Sequence, residues 1–473
     1  MALTTAYTKY GVLRGIPGKT PSNTVFKGVP YAKPPVGSLR FAPPRPVDPW
    51  EGELLCDHYS PSAIQRKPFE DPDVTEISED CLYLNIWTPA KAPNEKLPVM
   101  FWIHGGGFTT GCGTSKEFDG DAFSNRGVIL VTFNYRLGAL GYIALPELAK
   151  RDGTTGNNGL LDQIAALKWV QANISAFGGD PDNITVFGFS AGGMSTRMLM
   201  CSPLSRDIMK RAIVESGSGI TDSDYYRPLE EKMDICERGM KSLGWTLEDI
   251  MMKDASEVCD KLQDATIGEL EFWEKSVFQP DTDGFSLLET PGVTIWKGEA
   301  ADIPVISGSV SGDNGWIKIV RKDVPDENMI PAFVYSRGVA WAQRNVDTGR
   351  RPIYTYHFER TQPKKRWASE TNKTPHGSEI TYVMGTLNEK DFDDYDFELS
   401  DMLTSYWANF ARSGDPNGDG LPEWPVYSKD HRVSLHVTDE GCQIEQLMKT
   451  EVTERAIRFV TNHPGVIKDL NGL

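Results

Sequence analysis

Cysteine is sparse in this chain: seven among 473 residues, an odd number, with no C-x-x-C pair. That usage argues against a disulfide framework and predicts reduced thiols in a cytoplasm. No run of about 20 apolar residues occurs, so no transmembrane helix or membrane anchor is expected. The opening MALTTAYTKYGVLRG has neither a charged n-region nor an apolar h-region, which predicts no signal peptide. Cytoplasmic location is therefore expected, with secretion after removal of a leader as the alternative. Basic charge is in deficit, 49 Lys and Arg against 66 Asp and Glu, for a net charge of −17. Nucleic acid and anionic membrane surfaces both demand clustered Lys and Arg, so neither is an expected partner. Linkers, low-complexity tracts and internal repeats are also missing. Length alone would suggest about three domains, but without linkers a single domain over 1–473 is the better expectation. A monomer is favoured.

What the chain does have is alternation. Val99–Ile103, Val128–Phe133, Ile184–Phe187, Ala212–Glu215 and Ile303–Ser307 are short apolar runs suited to buried strands. Leu82, Leu84 and Ile86 alternate as in a half-buried strand. Leu160, Leu161, Ile164, Leu167, Val170 and Ile174 recur at spacings of three and four, which marks an amphipathic helix. Strands alternating with helices predict an α/β fold: a large, mixed, mostly parallel sheet with helices on both faces. Residues 221–280 break the rhythm with Met, Trp, Glu and Lys at helical spacing, and are expected to form an inserted helical lid, with a second insertion at about 316–350. Met251, Met252 and Trp273 are assigned to core packing there. A late helix is expected over Ser400–Phe410 with Ser400 as its cap, and the acidic run Asp391–Asp401 as a solvated segment leading into it.

Two motifs carry chemistry. The run ITVFGFSAGG ends a strand in Gly188-Phe189-Ser190-Ala191-Gly192, a G-x-S-x-G. Glycines allow a sharp strand-to-helix turn, which exposes Ser190 Oγ above a helix N-terminus; this is a nucleophile elbow of the α/β-hydrolase kind. His104-Gly105-Gly106-Gly107-Phe108 follows another strand. Its unobstructed N–H groups suit an oxyanion hole, assigned to Gly106, Gly107 and, after the nucleophile, Ala191. A hydrolase of this kind orders its triad Ser, acid, His. His58 and His104 precede Ser190 and fail on that order; His357 lies in the strand-like IYTYHF; His431, His436 and His463 remain in competition with His376.

Together FKGVPYAKPPVGSLRF, SEDCLYLNIWTP, HGGGF, NYRLGALGY, GNNGLLDQIAALKWVQANISAFGGDP, GFSAGG, VESG, PHGSEI and ARSGDPN resemble the type-B carboxylesterases over nearly the whole chain. The resemblance extends to bacterial esterases of p-nitrobenzyl esters. It implies an α/β-hydrolase fold and a serine esterase. It makes His376, in PHGSEI, the general base. The family places a Glu in a pattern like G-x-N-x-D-E-G. Here the stretch reads Gly308-Ser309-Val310-Ser311-Gly312-Asp313-Asn314-Gly315, with no Glu. Asp313 stands where that Glu would be and is taken as the acid, another carboxylate being the alternative. Ser216, in VESG, is implied to steady the acid.

The departures bear on substrate. Cholinesterases carry a Glu before the nucleophile, where this chain has Phe189. Cys81 matches a cysteine that secreted members pair, but the partner position falls near Ala63, and Cys56 is misplaced. Cys112 is read as a packing residue. Phe69 is the lone aromatic residue of Gln65–Asp80, so no Trp is there to receive a cation. Asp415–Gly420 starts like a calcium loop, but Val426 stands where a Glu is needed. The expectation is a serine carboxylesterase for neutral esters with apolar or aromatic acyl groups, with no cofactor and no metal. A neuroligin-like binding protein on the same fold, or an amidase or thioesterase using the same triad, are the alternatives.

Overall fold

The computed structural model describes residues 2–67, 72–220, 228–267, 276–313, 329–361 and 374–446. Eleven strands make the main sheet. In chain order they are β1 (Ile16–Pro17), β2 (Thr24–Pro30), β3 (Tyr83–Thr88), β4 (Leu97–Ile103), β5 (Ile129–Phe133), β6 (Gly179–Phe189), β7 (Arg211–Glu215), β8 (Val305–Val310), β9 (Ile353–Phe358), β10 (Val433–Thr438) and β11 (Gly441–Gln446). Across the sheet they run β11-β10-β9-β8-β7-β6-β4-β5-β3-β2-β1. Every neighbouring pair from β5 to β10 is parallel, and the antiparallel pairs lie towards the margins.

Period-2 geometry divides the apolar residues between two cores. Val99, Phe101 and Ile103 of β4 enter one, while Met100 and Trp102 enter the other. The first core is covered by α1 (Asn158–Asn173), α2 (Ala191–Cys201), α3 (Leu229–Leu243) and α5 (Ala255–Ile267), which follows the short α4 (Leu247–Met252). The second is covered by α7 (Asp394–Ser413) through Leu399, Leu403, Tyr406, Trp407 and Phe410. Before it, α6 (Met329–Thr348) packs against β8 and β9. Helices thus sit on both faces, as the alternation predicts.

Several local expectations change. β3 is not half-buried: Asn85 and Trp87 are as enclosed as Leu84 and Ile86, because both faces are covered. β8 starts after Pro304, which has no N–H for the ladder and serves only as acceptor for Ala212 N–H at 3.1 Å. α7 begins well before Ser400. Asp393 and Asp396 form a reciprocal side-chain cap there, and Ser400 lies inside the helix, its hydroxyl donating to Tyr382 O at 2.8 Å. The acidic run is not wholly solvated, since Asp396 is buried and accepts from Arg360 Nε at 2.9 Å and Tyr382 Oη at 2.6 Å. Met252 is 81% exposed and packs no core, whereas Cys112 is buried. Trp273, Phe69 and His463, and residues 221–227, 268–275 and 316–328 of the two expected insertions, lie outside the described residues.

Candidate active site

Parallel strands put their carboxyl ends on one edge of the sheet, where such folds build their sites. β4 leads there into the glycine loop, β6 into Ser190, β7 into Ser216 and β8 into Asp313. Ser190 has φ 56° and ψ −122°, a strained conformation for a residue with a Cβ, costing on the order of 1–3 kcal/mol. It is held by Ser190 N–H donating to Glu215 O at 2.9 Å, and by Met194 N–H donating back to Ser190 O at 2.9 Å. The elbow glycines are required by crowding more than by their own dihedrals. A Cβ on Gly192 would sit 1.9 Å from Ile103 O, the last residue of β4. This close approach drives the start of α2 against the strand.

In the glycine loop, Gly106 has φ 105°, and a Cβ there would lie 2.1 Å from Thr110 O. Thr109 and Thr110 N–H groups fold back onto Gly106 O at 3.1 and 3.0 Å. Gln65 clamps the far side, accepting from Gly111 N–H at 3.0 Å and donating to Gly111 O at 3.0 Å. His104 supports the loop from within: it stacks on Tyr135 at 4.5 Å and touches Gly105 O through Nδ1 at 2.9 Å. Burial pushes its pKa down to about 4, which keeps it neutral. Ala191 is the first residue of α2, where a helix leaves its N–H groups without intrahelical acceptors.

The chain brings His376 and Asp313 together. His376 Nδ1 lies 2.5 Å from Asp313 Oδ1, and Gly312 and Pro375 form a β-bridge that ties the two loops. Asp313 is buried, and its Oδ2 accepts from Ser216 Oγ at 2.8 Å and Val310 N–H at 3.0 Å. The Phe189 ring lies 4.5 Å from the His376 ring. A Cβ on Gly105 would come within 3.0 Å of that ring, as would one on Gly377. Phe189 therefore fills the gap between the glycine loop and the histidine loop. Elsewhere His357 contacts Ser309 Oγ at 3.0 Å and His436 contacts Glu359 at 2.7 Å, both deep in the sheet, while His58 pairs with Asp57 at the surface.

Sequence reading missed two carboxyl groups here. Glu215 and Glu379 are both buried, and burial pushes each pKa up to about 8. Glu215 accepts from Trp407 Nε1 at 2.7 Å. Glu379 Oε1 stands 3.4 Å from Ser216 Oγ and 3.5 Å from Tyr356 Oη. One signal was available: a Glu closing the apolar run Ala212–Glu215 is unusual for a buried strand. Among the described residues no cluster of three or more His, Cys, Asp or Glu could hold a metal ion.

The chain matches the Carboxylesterase family over residues 3–330 and 326–456. It is 34% identical to the para-nitrobenzyl esterase of Bacillus subtilis (strain 168), across 95% of this chain and 97% of that protein. It is 33% identical to carboxylesterase 4A of Bos taurus across 90% of each. Among solved structures, a PNB esterase superposes with a TM-score of 0.81 at 31% identity, covering 96% of this chain and 99% of that one. The Geobacillus stearothermophilus carboxylesterase gives 0.79 at 32%, with the same coverage. With sequence and fold in agreement along almost its whole length, the chain belongs to the carboxylesterase family, carries the α/β-hydrolase fold and is a carboxylic-ester hydrolase.

Proposed function

We propose that the chain is a serine esterase for neutral esters with apolar or aromatic acyl groups, working through Ser190, His376 and Asp313. The observation that carries this reading is the 2.5 Å contact between His376 Nδ1 and Asp313 Oδ1 at the strand edge that also bears the strained Ser190. With Nδ1–H engaged by the carboxylate, the imidazole presents an unprotonated Nε2. That nitrogen takes the Ser190 hydroxyl proton as Oγ attacks the ester carbonyl. Gly106, Gly107 and Ala191 N–H groups receive the developing oxyanion. The carbon–oxygen bond to the alcohol then breaks, and the alcohol leaves with the proton from His376. Water attacks the acyl-enzyme, gives a proton to His376, and Ser190 departs with it. Asp313 stays ionised and holds the ring in place.

Phe189 supports the substrate class. Its ring offers an apolar wall beside His376, at the position where a carboxylate would hold a cationic alcohol. The proposal extends to one domain and a monomer. Its cytoplasmic location is supported by seven free thiols.

The test is Ser190→Ala. Hydrolysis of p-nitrophenyl esters should fall by on the order of 10⁴- to 10⁶-fold, and an organophosphonate should no longer label the protein. Labelling at the wild-type rate would refute the mechanism. Matched amides and thioesters in the same assay separate an esterase from its two enzymatic alternatives.

A further inference from the structure

We propose that Glu379 serves this triad as a neutral acid: it donates its carboxyl proton to Ser216 Oγ, which aims the Ser216 hydroxyl at Asp313, and loss of that proton ends activity on the alkaline side. This rests on the assignment of Ser190, His376 and Asp313 above.

Ser216 Oγ lies between two carboxyl groups, 2.8 Å from Asp313 Oδ2 and 3.4 Å from Glu379 Oε1. A hydroxyl has one proton to give. Ser216 is held in place with φ 48° and its N–H on Gly308 O at 2.9 Å, so it sits fixed between the two. Asp313 is the ionised partner: His376, Ser216 and Val310 all direct donors at it. Once Ser216 has donated there, the contact with Glu379 is attractive only if Glu379 is the donor.

The surroundings agree. The groups facing Glu379 are the carboxyls of Asp313 and Glu215, the Tyr356 phenol and the His376 imidazole. Its Oε2 is buried with no hydrogen-bond partner, which a neutral acid tolerates far better than a carboxylate. Burial first, then the charge of Asp313, pushes Glu379 up to about 8. Above that pH an ionised Glu379 would draw the Ser216 hydroxyl away from Asp313. Its charge would also favour the protonated imidazole, and a protonated His376 cannot accept the Ser190 proton.

Glu215 has the same raised pKa but a different post: Trp407 engages its side chain, and its carbonyl holds Ser190 N–H. The two can be told apart. The experiment is kcat/KM for p-nitrophenyl butyrate from pH 6 to 10, with the Ser190→Ala rate subtracted. Wild type should decline with a midpoint near 8, to at least about tenfold below its plateau by about pH 9.5. In Glu379→Gln an amide N–H still donates to Ser216 but nothing ionises, so the decline should vanish. Glu379→Leu loses the donor, and kcat should fall more than about tenfold at every pH. Glu215→Gln should keep the decline. An infrared difference spectrum of wild type between about pH 7 and 9.5 needs no variant at Glu379: a protonated-carboxyl band must disappear, and must still do so in Glu215→Gln. A flat wild-type profile, a Glu379→Gln profile declining with the wild-type midpoint, or no such band would overturn the proposal. A wild type no more active than Ser190→Ala would instead refute the triad reading itself.

Discussion

Replacing Asp313 with asparagine separates orientation from packing. In the native site one carboxylate oxygen faces His376 Nδ1 at 2.5 Å, and the other accepts from Ser216 Oγ at 2.8 Å and Val310 N–H at 3.0 Å. Asparagine is nearly isosteric. Its carbonyl oxygen can keep the Ser216 and Val310 bonds, which leaves the NH₂ group facing the imidazole. A donor at that point is satisfied only by an unprotonated Nδ1, so the ring proton moves to Nε2, the atom that must accept from Ser190. The charge that would stabilise imidazolium is also gone. Both effects act on the reacting state, and together they should lower kcat by roughly 10³- to 10⁴-fold, about 4–5.5 kcal/mol of barrier. KM for a small neutral ester should change little. Stability should hold, since two of three buried hydrogen bonds persist. Asp313→Ala is the control: it strands the Ser216 and Val310 donors in a buried place, at about 1–3 kcal/mol for each. That variant should lose both activity and several degrees of Tm. Steady-state kinetics on p-nitrophenyl acetate, paired with thermal unfolding, reads both quantities. A drop of less than about tenfold in Asp313→Asn would refute the reasoning and point to Glu379 as the working acid.

Phe189 should set a preference for neutral esters: kcat/KM for a neutral butyrate ester should exceed that for butyrylcholine of matched leaving-group pKa. A Phe ring attracts a quaternary ammonium by only about 0.5–2 kcal/mol, and a clear choline preference would mean that other residues bind the cation. Thiol titration of denatured, unreduced protein should count seven free thiols. In the folded protein, Cys442 should react first, because the other six are buried; a count of five or fewer would contradict the reduced-thiol reading.

Much of the architecture was legible because it is written in contiguous residues. Apolar runs such as Val99–Ile103 carry their own strand preference, and their alternation with the Leu160–Ile174 periodicity implies a covered parallel sheet whatever the loops do. The nucleophile elbow and the glycine loop are equally local, since a sharp turn leaves a signature within five residues. Asp313 was less legible. A lone Asp in a loop resembles any turn former, and only a likeness to relatives singled it out before its contact with His376, 63 positions away, was seen. Ends of elements were misread where an outside partner decided them, as at Ser400, whose hydroxyl is taken by Tyr382 O.

The chain alone determined the fold class, the sharp turn at Ser190 and the glycine-rich turn after β4, because each depends on the backbone preferences of neighbouring residues. Only the tertiary structure decided the surroundings of each carboxyl. Asp313 has three donors gathered by separate loops. Glu379 is enclosed beside it, facing the carboxyls of Asp313 and Glu215, and Glu215 meets Trp407 across 192 positions of sequence. Protonation depends on the sum of burial, charge and hydrogen bonds around a group, and that sum exists only after distant segments have packed.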